Sequence, residues 1–244
     1  MSRRIRQRIL RLPPKLAGAL AATANDLAGW SDDTYWMGGG SVLAARWHHR
    51  SSTDVDLFYD EGRYDRTEIA RVIASLRASA GRRDIALIQI RPHGALWERD
   101  GVPVSLFPAP RPAVGTGLDV VSIANGRLVA TESSADILTK KVRARMLHNP
   151  QYLTRDLYDF VAAHVDEPAA AREAFGRLTH EERAMLSYDA NHRDMPAQVG
   201  RAIADPAYPR LVGAPETLIR FARLALTGAL RDDELAALRE MRTT

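Results

Sequence analysis

Between residues 53 and 59 polar and apolar positions alternate. Thr53, Val55, Leu57 and Tyr59 fall on one side of an extended chain, and Asp54, Asp56 and Phe58 on the other. A strand over 51–60 is predicted, with an apolar row turned to a core and an acidic row turned away. Upstream, 14–29 has helical spacing, with Pro14 suited to a first turn and Gly29 to an end. The β-prone run 34–37 stops at three glycines, and 41–49 is helical in character. In 65–81, Ile69, Val72, Ile73 and Leu76 share one helical face, and Gly81 closes it. Strands are predicted at 84–91, 95–100, 102–109, 119–124 and 127–132, with hairpin turns at "RDG" (99–101) and "NG" (125–126).

From Ser133 the period changes to that of helices, interrupted at 148–153, 166–168, 191–196 and 205–215. No repeat or low-complexity tract appears. The chain therefore reads as an α+β fold with two domains: a mixed-sheet α/β lobe over 1–130 and a mostly α-helical lobe over 131–244.

Composition narrows the chemistry. Cysteine is absent, which excludes disulfides and thiolate metal sites. No apolar run approaches the roughly 18 residues of a membrane span, and the basic N-terminus lacks the pattern of a secretory leader. A soluble, cytoplasmic protein with no membrane partner is expected. The net charge of +4 permits a polyanionic partner without requiring one. Only three lysines occur, Lys15, Lys140 and Lys141. Two adjacent lysines in an arginine-rich chain stand out, because lysine is a compact point charge and arginine a planar fork.

Two features carry chemistry. Asp54 and Asp56 lie roughly 6–7 Å apart along a strand, a spacing from which both carboxylates reach one or two hard cations such as Mg²⁺. A solvated strand edge would have the same spacing. The second feature is strand, glycines, helix. Gly39 and Gly40 let backbone N–H groups approach an oxyanion at a helix N-terminus, and Ser41 is placed to cap the helix and to donate to a phosphate. A tight turn with a serine cap accounts for the same residues. The pattern is neither G-x-G-x-x-G nor a P-loop.

Gly39 and Asp54 are fifteen positions apart with one predicted helix between them. Gly39, Gly40, Ser41, Leu43 and Ala44, followed by Arg50, Ser52, Asp54, Asp56, Leu57 and Phe58 in the string R-x-S-x-D-x-D-L-F, resemble the abortive-infection-type nucleotidyltransferase toxins, the AbiEii/AbiGii kind. That family also carries a lysine in a later helix and an R-D-[LIV]-[YFW]-D motif after it, matched here by "ADILTKKVRARM" (135–146) and "TRDLYDF" (154–160). Ile137, Leu138, Val142 and Ala144 define an apolar helical face with Lys141 near its centre and Arg145 one turn on, while Lys140 and Arg143 point away. Lys141 is therefore the better match for the motif lysine. Thr154 has the place of a helix cap, though Arg155 in the first turn opposes the helix dipole.

The resemblance implies a nucleotidyltransferase-type mixed sheet, a helical lobe and an active site in the cleft between them. It implies Mg²⁺ (or Mn²⁺) on Asp54 and Asp56, with an NTP as co-substrate held by Gly39, Gly40, Ser41, Lys141 and Arg145. Asp156 belongs to the active site, with Arg50, Ser52, Arg155 and Asp159 in support. The implied reaction is transfer of a nucleoside monophosphate to RNA, foremost the 3′ end of tRNA, by the toxin of a toxin–antitoxin pair whose cognate antitoxin protein is a further partner. The runs "RRIRQR" (3–8) and "KKVRAR" (140–145) are candidate tRNA-binding surfaces. One part is missing: where related enzymes carry a third carboxylate stands Ser105, with Glu98 a substitute in the preceding strand. His48 and His49 read as surface or packing residues. Transfer to a small molecule or protein, or a non-catalytic antitoxin- or nucleic-acid-binding module on the same fold, are the rival readings.

Overall fold

The computed structural model describes residues 8–27, 34–60, 62, 66–79, 85–91, 93–111, 119–123, 126–148, 152–192 and 202–243. The chain forms two compact units, Met1–Arg46 with Ser52–Ser133, and Trp47–Ser51 with Ser134–Thr244. It is a mixed α+β protein.

The first unit contains β1 (Ile9–Leu10), α1 (Pro14–Asp26), β2 (Tyr35–Gly38), α2 (Gly39–Trp47), β3 (Val55–Tyr59), α3 (Arg66–Ser79), β4 (Ile85–Arg91), β5 (Gly94–Arg99), β6 (Val102–Pro108), β7 (Val120–Ser122) and β8 (Leu128–Ala130). The last residue of α2, Trp47, groups with the second unit. A five-stranded sheet runs in the order β2-β3-β6-β5-β4, with β3 parallel to β6 and the other pairs antiparallel. A three-stranded sheet, β1-β7-β8, pairs β1 parallel with β7 and β7 antiparallel with β8.

The alternation of β3 decides which face is packed. Val55, Leu57 and Tyr59 are buried with Val104 and Leu106 of β6 and Ala95 and Trp97 of β5. Full burial of each aliphatic side chain stabilises by about 1.5–3 kcal/mol. Leu16, Ala19 and Leu20 of α1 and Ile69, Val72 and Leu76 of α3 complete this core. Arg99, on the Trp97 side of β5, pairs with Asp26 at the end of α1, which fixes the face that α1 covers. The opposite row, Asp56 and Phe58, is only half-buried. The "RDG" turn forms as expected: Asp100 and Gly101 both have positive φ, 50° and 70°, joining β5 to β6.

The second unit holds α4 (Ser134–Lys141), a π-helical turn (Val142–Leu147), α5 (Thr154–Asp166), α6 (Pro168–Gly176), α7 (His180–His192), α8 (Pro209–Gly213), α9 (Pro215–Thr227) and α10 (Asp232–Glu240). Proline starts α6, α8 and α9, where its missing N–H has no helical partner to lose. Gly228 ends α9 in the left-handed conformation, φ 68°. Two of the predicted breaks, at 148–153 and 191–196, lie partly outside the described residues. At the centre, α5 is buried continuously from Asp156 to Ala163 and packs on α6, α9 and α10. A stretch enclosed on every side obliges its two acids, Asp156 and Asp159, to find partners.

His164, near the end of α5, bonds through Nδ1 to the Phe160 carbonyl at 2.9 Å. Burial pushes its pKa below 6.5; the carbonyl opposes this, and Arg172 adds to it. The folded state then binds fewer protons than the unfolded one, so His164 contributes fully above pH 6.5 and less as pH falls through that value. The melting temperature is expected to decline as pH is lowered below 6.5, and His164→Gln to flatten that decline; an unchanged slope in the variant refutes the assignment.

Candidate active site

Gly38 closes β2 opposite Asp56 on β3. Gly39 opens α2 with φ 72°, a conformation that favours glycine. A side chain at Gly39 is excluded by space as well, since its Cβ would lie 2.1 Å from Asp56 Oδ2. Gly40 follows as the second residue of α2. The first-turn amides of α2 have no helical acceptor, and this end of the helix carries a partial positive charge.

Ser41 is not the cap that the sequence suggests, because α2 starts two residues before it. Its Oγ donates to the Asp54 carbonyl and lies 2.8 Å from Ser52 Oγ, which in turn donates to Asp54 Oδ1 at 2.9 Å. These bonds tie the first turn of α2 to the entry of β3. Asp54 immediately precedes the strand and Asp56 lies within it, both half-buried.

Ser105, register partner of Asp56 on β6, donates its Oγ to Asp56 Oδ1 at 2.8 Å. The position expected to hold a third acid instead orients the second. Glu98, opposite Pro103 on β5, shares this face but stands two strands from β3, about 10 Å away, so it does not substitute. Among the described residues no three His, Asp or Glu side chains converge on one point. Two hard carboxylates on one face, against a glycine that a Cβ would fill, fit Mg²⁺, which takes one or two protein carboxylates and completes its shell with phosphate and water.

The second unit assembles a charge cluster of its own. Lys141 ends α4 on its packed side, 9% exposed. Its Nζ pairs with Asp156 Oδ1 and lies 3.1 Å from Asp159 Oδ2. The π-helical turn that follows carries Arg145, whose Nη1 is 3.4 Å from Asp156 Oδ2. Lys140 is less buried, and Arg143 turns to Glu182 at 2.8 and 3.0 Å. The helical face drawn from sequence separates the two lysines as the structure does, but fails at Ala144, which is exposed on the π-helical turn.

Asp156 and Asp159 are fully buried on α5. Asp159 accepts two bonds from Arg50, Nε at 2.6 Å and Nη2 at 2.9 Å, and is bonded to His49 Nε2 at 2.7 Å. Burial alone would raise its pKa, but Arg50, then Lys141, hold it well below the usual carboxylate range. Arg50 of the first motif and Asp159 of the last are therefore joined directly. His49, expected at the surface or in packing, is a packed member of this cluster; it is buried, stacked on Tyr158 with ring centroids 5.7 Å apart. Thr154 is the first residue of α5 and not its cap; Leu153 holds that place, without a side-chain bond. Arg155 is half-buried in the first turn.

The basic runs are more occupied than the sequence suggests. In 140–145, Lys141, Arg143 and Arg145 are paired with acids of their own unit. Of 3–8, residues 3–7 lie outside the described residues, and Arg8 donates to the Arg46 carbonyl at 2.7 Å. Among the described residues no helix is long and apolar enough to cross a membrane.

Residues 27–241 match a family model described as nucleotidyl transferase AbiEii toxin, type IV TA system. Similar solved structures include the solution structure of the antibiotic-resistance factor ANT(2'')-Ia, at 17% identity and a TM-score of 0.42, covering 72% of this chain and 100% of that one. The crystal structure of ANT(2")-Ia in complex with adenylyl-2"-tobramycin is similar at 19% identity and a TM-score of 0.42, covering 71% of this chain and 97% of that one. No curated protein matches the chain significantly in sequence.

Proposed function

Because the chain belongs to the AbiEii nucleotidyl transferase toxin family, we propose that it transfers a nucleoside monophosphate from an NTP to the 3′ end of tRNA in the cytoplasm, blocking translation and growth until its antitoxin intervenes. The observation that carries the reading is the Asp54–Asp56 face of β3 set against the glycine-opened start of α2. Asp54 and Asp56 would hold Mg²⁺ (or Mn²⁺), which when bound offsets the charge of the phosphates. The first-turn amides of α2 at Gly39, Gly40 and Ser41 bind outer phosphate oxygens. The family motif assigns Lys141, and with it Arg145, to the nucleotide phosphates, where a cation would offset charge that grows in the reaction. Asp156 fixes the Lys141 ammonium, and Asp159, with Arg50 and Arg155, keeps that helix end in place; Ser52 fixes the Asp54 carboxylate.

The test is incubation with Mg²⁺, total tRNA and each α-labelled NTP in turn. Label is expected at the tRNA 3′ end with at least one NTP. Label on a small molecule or protein in place of tRNA overturns the choice of acceptor. No transfer with any NTP overturns the enzymatic reading and favours a binding module.

A further inference from the structure

Phe107 lies on β6 two residues past Ser105, and its register partner Phe58 lies on β3 two residues past Asp56. Strand side chains alternate, so both rings share the face of the sheet that carries Asp56. On the next strand, β5, stands Gly94, whose φ is not in the left-handed region. Its missing Cβ would lie 2.6 Å from Phe107 Cδ1 and 2.9 Å from Cε1. The Phe107 ring therefore reaches across β5, through the space a side chain at 94 would take. Opposite Gly94 on the last strand is Arg91, exposed, so a cation borders the ring on its far side.

A ring in this place covers the glycine backbone, and any side chain of similar bulk would do that. Exposure sets Phe107 apart from the aromatics on the other face. Tyr59 and Trp97 are 1% and 0% exposed, whereas Phe107 and Phe58 are only half-buried. Their position is ordered as well. The glycine-opened start of α2 follows Gly38 and lies at the Asp54 end of β3. Next along the strands comes the Asp56–Ser105 pair, and about 7 Å farther on come the rings. An NTP has the same order, from outer phosphates through the α-phosphate to the base.

We propose that Phe107 is the platform on which the base of the incoming nucleotide stacks. The inference rests on the reading that Asp54, Asp56 and the start of α2 hold the triphosphate. Every base has a π-face, so stacking adds affinity with little choice among bases.

Isothermal titration of the full chain in Mg²⁺ tests it, with each of the four α,β-methylene NTPs, which cannot release pyrophosphate. Inorganic tripolyphosphate, which has no base, and tRNA are titrated alongside. Phe107→Leu keeps cover over Gly94 and removes the π-face. It is expected to weaken the best-bound NTP analogue about tenfold and to leave tripolyphosphate unaffected, while Phe107→Tyr stays within about twofold of wild type. If Phe107→Leu does not fold, Phe107→Trp decides. The fluorescence of its added indole is expected to be quenched by the NTP analogue and not by tripolyphosphate, and an unquenched indole overturns the inference. NTP affinity within about twofold of wild type in folded Phe107→Leu overturns it, whether or not tRNA binding falls. Equal losses for NTP and tripolyphosphate make the ring's role structural and overturn it too. Failure of the wild type to bind any NTP analogue or tripolyphosphate overturns the nucleotide site itself, and the inference with it.

Discussion

Asp56→Asn is expected to lower nucleotide transfer by about a thousandfold while moving the melting temperature by no more than about 2 °C. The separation of the two effects follows from the strand. Asp56 belongs to the half-buried row of β3, whereas Val55, Leu57 and Tyr59 make the core on the other side. Asparagine keeps the shape that fits against Gly39, and its amide oxygen accepts from Ser105 Oγ as the carboxylate does. The charge and one acceptor oxygen are lost, and both are what a hard divalent cation requires of its ligand. Initial rates of labelled nucleotide incorporation, with thermal unfolding as the control, measure both quantities. Transfer within about tenfold of wild type would remove Asp56 from the reaction.

How far the site can be read from sequence depends on the range of the interaction involved. Strand alternation and helical periodicity are local, and they were sufficient to divide Asp54 and Asp56 from the core row and Lys141 from Lys140. The "RDG" turn is equally local, since two successive positive-φ residues suffice to reverse the chain. Ser41 shows where local reasoning stops. A serine after glycines reads as a cap, but Gly39 turns the chain sharply enough for α2 to start there, and the hydroxyl is free to tie β3 instead. The grouping of Trp47–Ser51 with the second unit has no periodic mark at all. It is specified by Arg50 and His49 meeting Asp159, more than a hundred residues away. The packing at Gly38 is hidden for a similar reason: only the folded chain shows that the space beside it is filled by the Glu132 carboxylate, ninety-four residues later.

Asp159→Asn is expected to cost about 3–5 kcal/mol of stability, lowering the melting temperature by roughly 10 °C. Its carboxylate is fully buried and faces three cationic or donating groups at once: Arg50 through two bonds, Lys141 at 3.1 Å and His49 at 2.7 Å. An amide keeps one acceptor and turns an N–H toward donors, leaving Arg50 without its buried counter-charge. Asp156→Asn is expected to cost less, about 1–2 kcal/mol, although Asp156 is buried as deeply. Lys141 still has Asp159, and Arg145, 41% exposed, can turn to water. The two variants also differ in acid. The depressed pKa of Asp159 makes its contribution complete at neutral pH and lost only as pH falls through that low value. Wild type should therefore lose stability on strong acidification more steeply than Asp159→Asn, and the two curves should converge at low pH. Thermal unfolding of both variants from pH 7 down to about 2 distinguishes this ion-pair account from hydrogen bonding alone. A gap between wild type and Asp159→Asn that stays constant with pH would mean that the carboxylate's charge contributes nothing, and that the exchange of an acceptor oxygen for an N–H donor sets the loss.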